Sequence, residues 1–523
     1  MSAEAPILIP SHTPRPAAAF LCETVMADQL QALATRAVDA ARSAGATYAD
    51  VRVSEQHRLV LRSGRILLYS EFMYGVRALV DGCWSFSYGR TATPDAVTQC
   101  AKAAVGSART VAILTKAISA SSVIPEWVPA PVVTGTWRSP VKVDPFTVPI
   151  EQQEELQSAV QIEVERTPGA LGMFEAEWIR ETRVFAATTG SLVTQELYRA
   201  MPVTHIEVIF GRSQLKAPVP LLRLSSGGYE TLAVPELLDQ AKQAAEESAR
   251  LVRLPSRQID VGRYPIVLDG NIMGSLLGTL VGPSLELDRV LGQDPETAGT
   301  SRMTLEQLGT QVAGKALTLK GGRAVPSVSA VQWDDEGNVP QEHTVIRDGI
   351  LTDFHTSGRT VSAMSDWYAK HGQPVRSNGC ALSVEADRTV VVQPPHVTMT
   401  PSQSNVSFED LYKDLPRGIV ALKSGSVSPD QQLSSGSMDS EYGGLFEVSR
   451  GKIVGRIRDM GLQFSTAPFL KSLAAVGGVD TVCQSDVYTS KGMPWVEVQH
   501  SATAPAALFT QVNLIEMQLK VGV

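Results

Sequence analysis

From residue 26 the chain alternates between two hydrophobic periods. In MADQLQALATRAVDAARSAG (26–45), Leu30, Leu33, Ala34, Ala37, Val38 and Ala41 recur three and four apart. That spacing predicts a helix, stopped at Gly45. YADVRVSEQHRLVLRSGRILLYSEF switches to a period of two and predicts two strands around a Ser-Gly turn. YGVRALVDGCWSFSYG (74–89) predicts two more around Asp81-Gly82, a pair suited to a tight hairpin. The helical period returns in TPDAVTQCAKAAVGSARTVA, with Thr93 and Pro94 at its start. Residues 121–149 follow neither period and are expected to be irregular. A charged amphipathic helix is predicted over 150–167, strands through 171–213, and a helix with a solvated face over 235–254. Residues 255–262 read as a linker. Beyond them lie strand-like stretches and few helices: PIVLDG, SVSAVQWDD, HTVIRDGILTDF, TVVVQPPHVTM and the meander GLFEVSRGKIVGRIRDMGLQF, turning at Arg450-Gly451. The expected class is α+β in two domains, a helix-and-sheet domain over 26–254 and a domain dominated by antiparallel strands over 255–523.

Length and charge narrow the picture. A chain of 523 residues exceeds one ordinary core. A net charge of -8 with no Lys/Arg run argues against nucleic acid as the main partner. No apolar run reaches the ~20 residues of a membrane span. The five cysteines, Cys22, Cys83, Cys100, Cys380 and Cys483, are scattered and show no CxxC pair. That fits a reducing cytoplasm, not a disulfide framework or a zinc knuckle. Residues 1–25 carry prolines and lack a basic signal n-region, so a disordered tail is expected, with Met26 as an alternative start.

One stretch breaks the pattern. SLLGTLVGPSLELDRV (275–290) is apolar, free of charge until Glu286, and interrupted by Gly278, Gly282 and Pro283. Proline in a helix interior costs about 3 kcal/mol, so a broken helix is expected there.

The order of these motifs resembles the TldD/PmbA family, also called modulators of DNA gyrase. The resemblance is carried by ALATRAVDAARSAGATYADVRV with YGVRALVDGCWSFSYG, then PIVLDGNIMGSLLG, DDEGNVPQEHTVIRDGILTDFHTS, SEYGGLFEVSRGKIVGRIRDMGLQF and CQSDVYTSKGMPWVEVQHSATAPAALFTQVNLI. It spans nearly the whole chain from residue 26. It implies that 255–523 is a TldD/PmbA-like domain and that the fold serves peptide hydrolysis by a pair of related chains. In active members a His-Glu-x-x-x-His segment and a late cysteine hold zinc, and the glutamate activates water. Such a site needs imidazole and thiolate ligands, an open position for water and a carboxylate beside it. Aligned here, the first histidine falls at Gly278, the glutamate at Thr279 and the second histidine at Pro283. None can ligate zinc or act as a base near neutral pH. The alternative is that these residues simply pack.

The resemblance therefore implies a pseudoenzyme: the non-catalytic subunit of a heteromeric peptidase acting on peptides or modified peptides. No zinc or other cofactor is expected on this chain. Its expected partner is a related chain with an intact HExxxH motif (heterodimer), or a second copy of itself (homodimer), in the cytoplasm. The alternative is an active metallopeptidase or amide hydrolase with a relocated site, built from Glu286, Asp288, Asp334, Asp335, Glu336, Cys483 and His500. In that set, WDDEG offers either oxygen ligands for a divalent cation or a turn whose acids bond backbone N–H groups. Cys483 lies near the family's cysteine position, or is a small buried apolar residue. His500 is the best-placed histidine, while His343, His355, His371 and His396 are scattered without ligand spacing. Ser284 in GPSLE misses a nucleophile elbow. LSSGG (224–228) and QLSSGSMDSEYGG (432–444) read as polar loops, ordinary or partner-facing. A third reading, a gyrase-modulating protein, rests on the family's other name.

Overall fold

The structure is a computed structural model. It describes the chain except residues 1–6, 11–12, 22–24, 63–64, 119–125, 211–212, 218–221, 233–234, 294–299, 424–426, 440–443, 493–495 and 518–523.

The first half is built on long antiparallel strands. Tyr48–Arg62 pairs with Arg65–Val80 on one side and Ala170–Ala187 on the other, and Ala170–Ala187 pairs with Leu192–Phe210. The two hairpins expected over 48–89 share their middle strand. Arg65–Val80 is one uninterrupted strand that turns at Asp81-Gly82, both at positive φ, into Cys83–Gly89. The helices Ala27–Ser43 and Pro94–Ile118 cover one face, where Leu30, Ala34, Ala37 and Ala41 meet Val51, Val53 and Val76. Gly45, at φ 91°, ends the first helix. The helices Ile150–Glu165 and Leu237–Val252 lie against the other face, which is lined by Leu59, Leu61 and Trp178.

Two expectations for this half need correction. Ile7–Ile9 of the expected disordered tail adds a strand antiparallel to Arg65–Val80, with Ile9 and Ala17 buried. The apolar run Ile-Leu-Ile satisfies an edge strand that would otherwise leave its backbone unpaired. The rest of that tail, 1–6, 11–12 and 22–24, lies outside the described residues. Within 121–149, Thr134–Arg138 is not irregular but runs parallel to Leu192–Phe210; residues 121–125 are outside the described set.

The second half holds two larger sheets. In the ten-stranded sheet, Gly262–Leu268 sits between Arg417–Leu422 (parallel) and Ala507–Glu516 (antiparallel). The expected meander is only a hairpin of Gly444–Ser449 with Lys452–Ile457, because Met460–Ser465 crosses to the far side of the sheet and pairs with Ala507–Glu516 and Ser435–Asp439. Arg450-Gly451, both at positive φ, makes the turn of that hairpin. In the six-stranded sheet the order is Ile350–Leu351, His343–Arg347, Leu319–Gly322, His396–Met399, Val496–Ala504, Cys483–Lys491. The expected strand SVSAVQWDD is turn instead, because its buried acids draw backbone N–H groups into local bonds. The serine-rich stretches hold strand residues: Ser225–Ser226 pairs with Leu192–Phe210, and Ser435–Asp439 pairs with Met460–Ser465. One core joins the two halves, since Val267, Val420 and Phe446 pack with Trp178, Leu237 and Val252. Among the described residues no helix is long and apolar enough to cross a membrane.

Candidate functional site

The interrupted stretch begins at a firm cap. The Asp269 carboxylate accepts from the backbone N–H of Ile272 (2.8 Å) and of Lys423 (2.6 Å), and starts the helix Gly270–Leu276. The helix lies hard against the strand Cys483–Lys491, where a Cβ at Gly274 would be 2.5 Å from Ser485 Oγ. The backbone then widens into a π-turn over Leu277–Val281, and Gly282 donates to the Leu277 carbonyl five residues back. Pro283 brings no N–H to continue the α-helical ladder, and a short turn Gly282–Ser284 follows.

The helix is broken as expected, and it packs in the interior. Leu277, Gly278, Leu280, Val281, Gly282 and Pro283 are buried, and Thr279 is half-buried. A Cβ at Gly278 would collide with Val487 Cγ2 and lie 3.1 Å from Val487 Cβ. The space a ligating side chain would need is filled by valine. Gly278 and Pro283 have no side-chain donor atom, Thr279 offers only a neutral hydroxyl, and Gly278 has no room for a larger side chain, so these three positions do not provide the donor set that zinc takes.

The acids beside this segment are committed to ion pairs. Glu286 is 1% exposed; it meets Arg289 Nε at 2.7 Å and the Lys491 ammonium. Asp288 meets Lys491 at 2.8 Å and accepts from Val392 N at 3.0 Å. Burial holds the Glu286 carboxyl above its ordinary range. The WDDEG acids join the two halves. Asp334 accepts from the N–H groups of Glu336, Asn338 and Ala381, and burial pushes it up to about 8. Asp335 pairs with Arg183 at 3.0 Å and accepts from Ser383 N. Glu336 pairs with Arg77 at 3.0 Å and accepts from Gly358 N. Of the two readings left open for this motif, the bonds present match the turn.

Cys483 is half-buried at the start of its strand. Burial raises its thiol, and the charges acting on it belong to Asp269, Arg223 and Lys423. His500 is fully buried on Val496–Ala504, directly opposite Val487, with burial and Arg323 lowering it to about 3. Its Nε2 lies 3.4 Å from Thr489 Oγ1, and its Nδ1 has no hydrogen-bond partner among the described residues. Cys483 and His500 therefore sit in different surroundings.

The structure brings together three other residues. His343 Nε2 is 2.9 Å from His355 Nδ1, the rings edge to face, and Cys380 Sγ completes a set whose ligand atoms all lie within 4.8 Å of one another. His343 Nδ1 lies 3.0 Å from the Gln341 carbonyl. Burial lowers His343 to about 4, holds His355 well below the ordinary imidazole range, and pushes the Cys380 thiol up to about 12, so all three are neutral near pH 7. Arg323 stands behind, donating to the Gly379 carbonyl (3.1 Å) and the Gln393 carbonyl (2.8 Å). His343 also lines a cavity of about 580 Å³ with Asp353, Trp367, Tyr368 and Arg376. Nothing in motif spacing marks this set. The available signal was the hairpin: His343 and His355 flank the Asp348-Gly349 turn at nearly equal distance, so the pairing of Arg347 with Ile350 brings them together. Cys380 arrives from a separate segment, and no local pattern announces it.

Comparison with known proteins agrees with this architecture. Residues 261–515 match the family model for the PmbA/TldA metallopeptidase C-terminal domain. The second half of the chain is a TldD/PmbA-family domain. Among TldD/PmbA relatives, a metalloprotease of Methanocaldococcus jannaschii is 22% identical over 440 residues, 82% of this chain and 89% of that protein. A metalloprotease TldD homolog of Buchnera aphidicola is 26% identical over 229 residues, 43% of each chain. The TldD/PmbA fold is shared with TldE from Thermococcus kodakarensis, at TM-score 0.63 and 14% identity over 92% of this chain and all of that one. It is shared also with a Thermotoga maritima protein named for modulation of a DNA gyrase, at TM-score 0.67 and 16% identity over 92% and 99%.

Proposed function

We propose that this chain is the non-catalytic member of a TldD/PmbA-type peptidase pair, completing a partner chain that keeps the HExxxH motif and acts on peptides. The observation that carries the reading is Gly278 seated on Val487, with Pro283 five residues on: the motif positions have become core. The ion pairs of Glu286 with Arg289 and Lys491, and of Asp288 with Lys491, support it, because both carboxylates are engaged by buried cations. The scattered cysteines support a cytoplasmic setting. The test is peptide hydrolysis by the isolated chain and by the chain mixed with a HExxxH relative from the same genome. No turnover alone, with co-purification and turnover in the mixture, is the expected result. Chelator-sensitive turnover by the isolated chain would overturn it.

That last outcome belongs to a second reading, a hydrolase with a relocated site. It is favoured by the His343, His355 and Cys380 cluster beside a cavity large enough for a side chain or short peptide.

A further inference from the structure

We propose that His343, His355 and Cys380 form a buried site for zinc(II), distinct from the family-motif positions at Gly278 and Pro283. The proposal does not rest on the chain being catalytically silent.

The donor set is the first argument. Two imidazoles and one thiol suit a borderline-soft cation and not magnesium or calcium, which take oxygen. In a tetrahedral zinc site, with Zn–N near 2.0–2.1 Å and Zn–S near 2.3 Å, ligand atoms stand about 3.3–3.6 Å apart. Here the two nitrogens are 2.9 Å apart and the whole set lies within 4.8 Å. Small side-chain rotations close the difference.

The hydrogen bonding is the second. The Gln341 carbonyl accepts from His343 Nδ1–H, which leaves the Nε2 lone pair directed at His355. A backbone carbonyl fixing the tautomer of a ligating histidine is the usual outer support of a metal site. A cation between the facing nitrogens takes His355 Nδ1 as its ligand atom, so the proton of that ring moves to Nε2, which is buried and has no hydrogen-bond partner among the described residues.

The frame is the third. His355 is held from both sides by backbone bonds, N–H to Leu285 O (2.8 Å) and C=O from Leu287 N (3.0 Å). Cys380 is held likewise, N–H to Thr356 O (3.2 Å) and C=O from Gln393 N (2.8 Å). Ligands on a fixed backbone lose little freedom when they bind. Burial of the thiol is answered on binding: the Cys380 proton leaves to solvent, the S–Zn bond forms, and the Arg323 guanidinium supplies a further positive charge near the thiolate. Entry is by way of His343, the half-buried member, on the wall of the 580 Å³ cavity. A tetrahedral zinc held by three protein ligands would keep a fourth position for water.

The test uses the full chain, stripped by chelator and dialysed, titrated with zinc(II) and with cobalt(II) as a visible probe. The expected result is one equivalent bound, a cobalt–thiolate charge-transfer band, release of about one proton, and a rise in melting temperature. Cys380→Ser and His355→Gln each lower affinity at least 100-fold, whereas Cys483→Ser binds as the parent does. His343→Gln, at the cavity wall, gives the same loss if a buried variant fails to fold. Less than 0.1 equivalent bound by the parent overturns the proposal, as does binding that survives Cys380→Ser or is lost in Cys483→Ser. Zinc bound without peptide hydrolysis leaves both this site and the non-catalytic role standing. Absence of binding removes only this site.

Discussion

Two regions of the second half carry the argument in opposite directions. The segment 277–283, which the family resemblance aligns with a zinc-binding motif, holds a glycine, a threonine and a proline, and Val487 fills the gap. The His343–His355–Cys380 cluster lies where no motif is expected, yet it gathers ligating atoms. One has the address without the chemistry, and the other has the chemistry without the address. Sequence alignment locates a backbone position; whether that position can act depends on the volume and donors that tertiary packing leaves there.

The comparison can be broken most forcefully at Lys491. Its ammonium is 1% exposed and answers both Glu286 and Asp288. Lys491→Met strands two carboxylates around Arg289 alone, and breaking such a buried pair costs about 3–5 kcal/mol. Chemical denaturation would show it. A loss below about 1 kcal/mol would mean that the acids are free to rearrange and that the segment is less fixed than argued.

Next is Gly278→His, which puts the family's residue back. The added Cβ meets Val487, and overpacking of this kind costs about 1–3 kcal/mol. Val487→Ala in the same chain recovers part of the loss, a coupling that a double-mutant cycle reads directly. If Gly278→His is as stable as the parent, the position is a vacated site rather than core.

The smallest expected effect sharpens the other region. His396, on the strand beside Val496–Ala504, lies 2.8 Å from Ser501 Oγ and 3.0 Å from Thr503 Oγ1, and burial lowers it to about 4. Its folded pKa is below the unfolded value near 6.5. Between those values the unfolded chain binds the extra proton, so stability falls as pH drops from 6.5 toward 4. His396→Gln should flatten the stability-against-pH slope in that window by up to about 1.4 kcal/mol per pH unit. An unchanged slope would show that the imidazole is not shielded from water.

Much of the frame was legible because local and tertiary demands agree. Leu30 to Ala41 form a helix and bury the face their spacing marks. Asp81-Gly82 and Arg450-Gly451 turn where their conformational freedom allows. The break at Pro283 follows from a missing donor. The errors arose where distant partners decide. Ile7–Ile9 is ordered only by the edge of Arg65–Val80, fifty-odd residues away in sequence. WDDEG reads as strand or as a cation loop until Arg77 and Arg183 arrive from the other half. Lys491 carries no local mark, since its role exists only beside Glu286. His343 and Cys380 meet across a turn and a long excursion that no period encodes.

The bonds from Arg183 to Asp335 and from Arg77 to Glu336 also bear on synthesis. Asp335 follows Arg183 by 152 residues. At 5–20 residues per second a ribosome needs roughly 10–30 s to deliver it. For that interval the nascent first half has Arg77 and Arg183 without these partners, and Leu59, Trp178 and Leu237 without the strands that cover them. Its maturation waits for the rest of the message to be read, and during the wait the exposed apolar surface of the half-made chain favours misassembly.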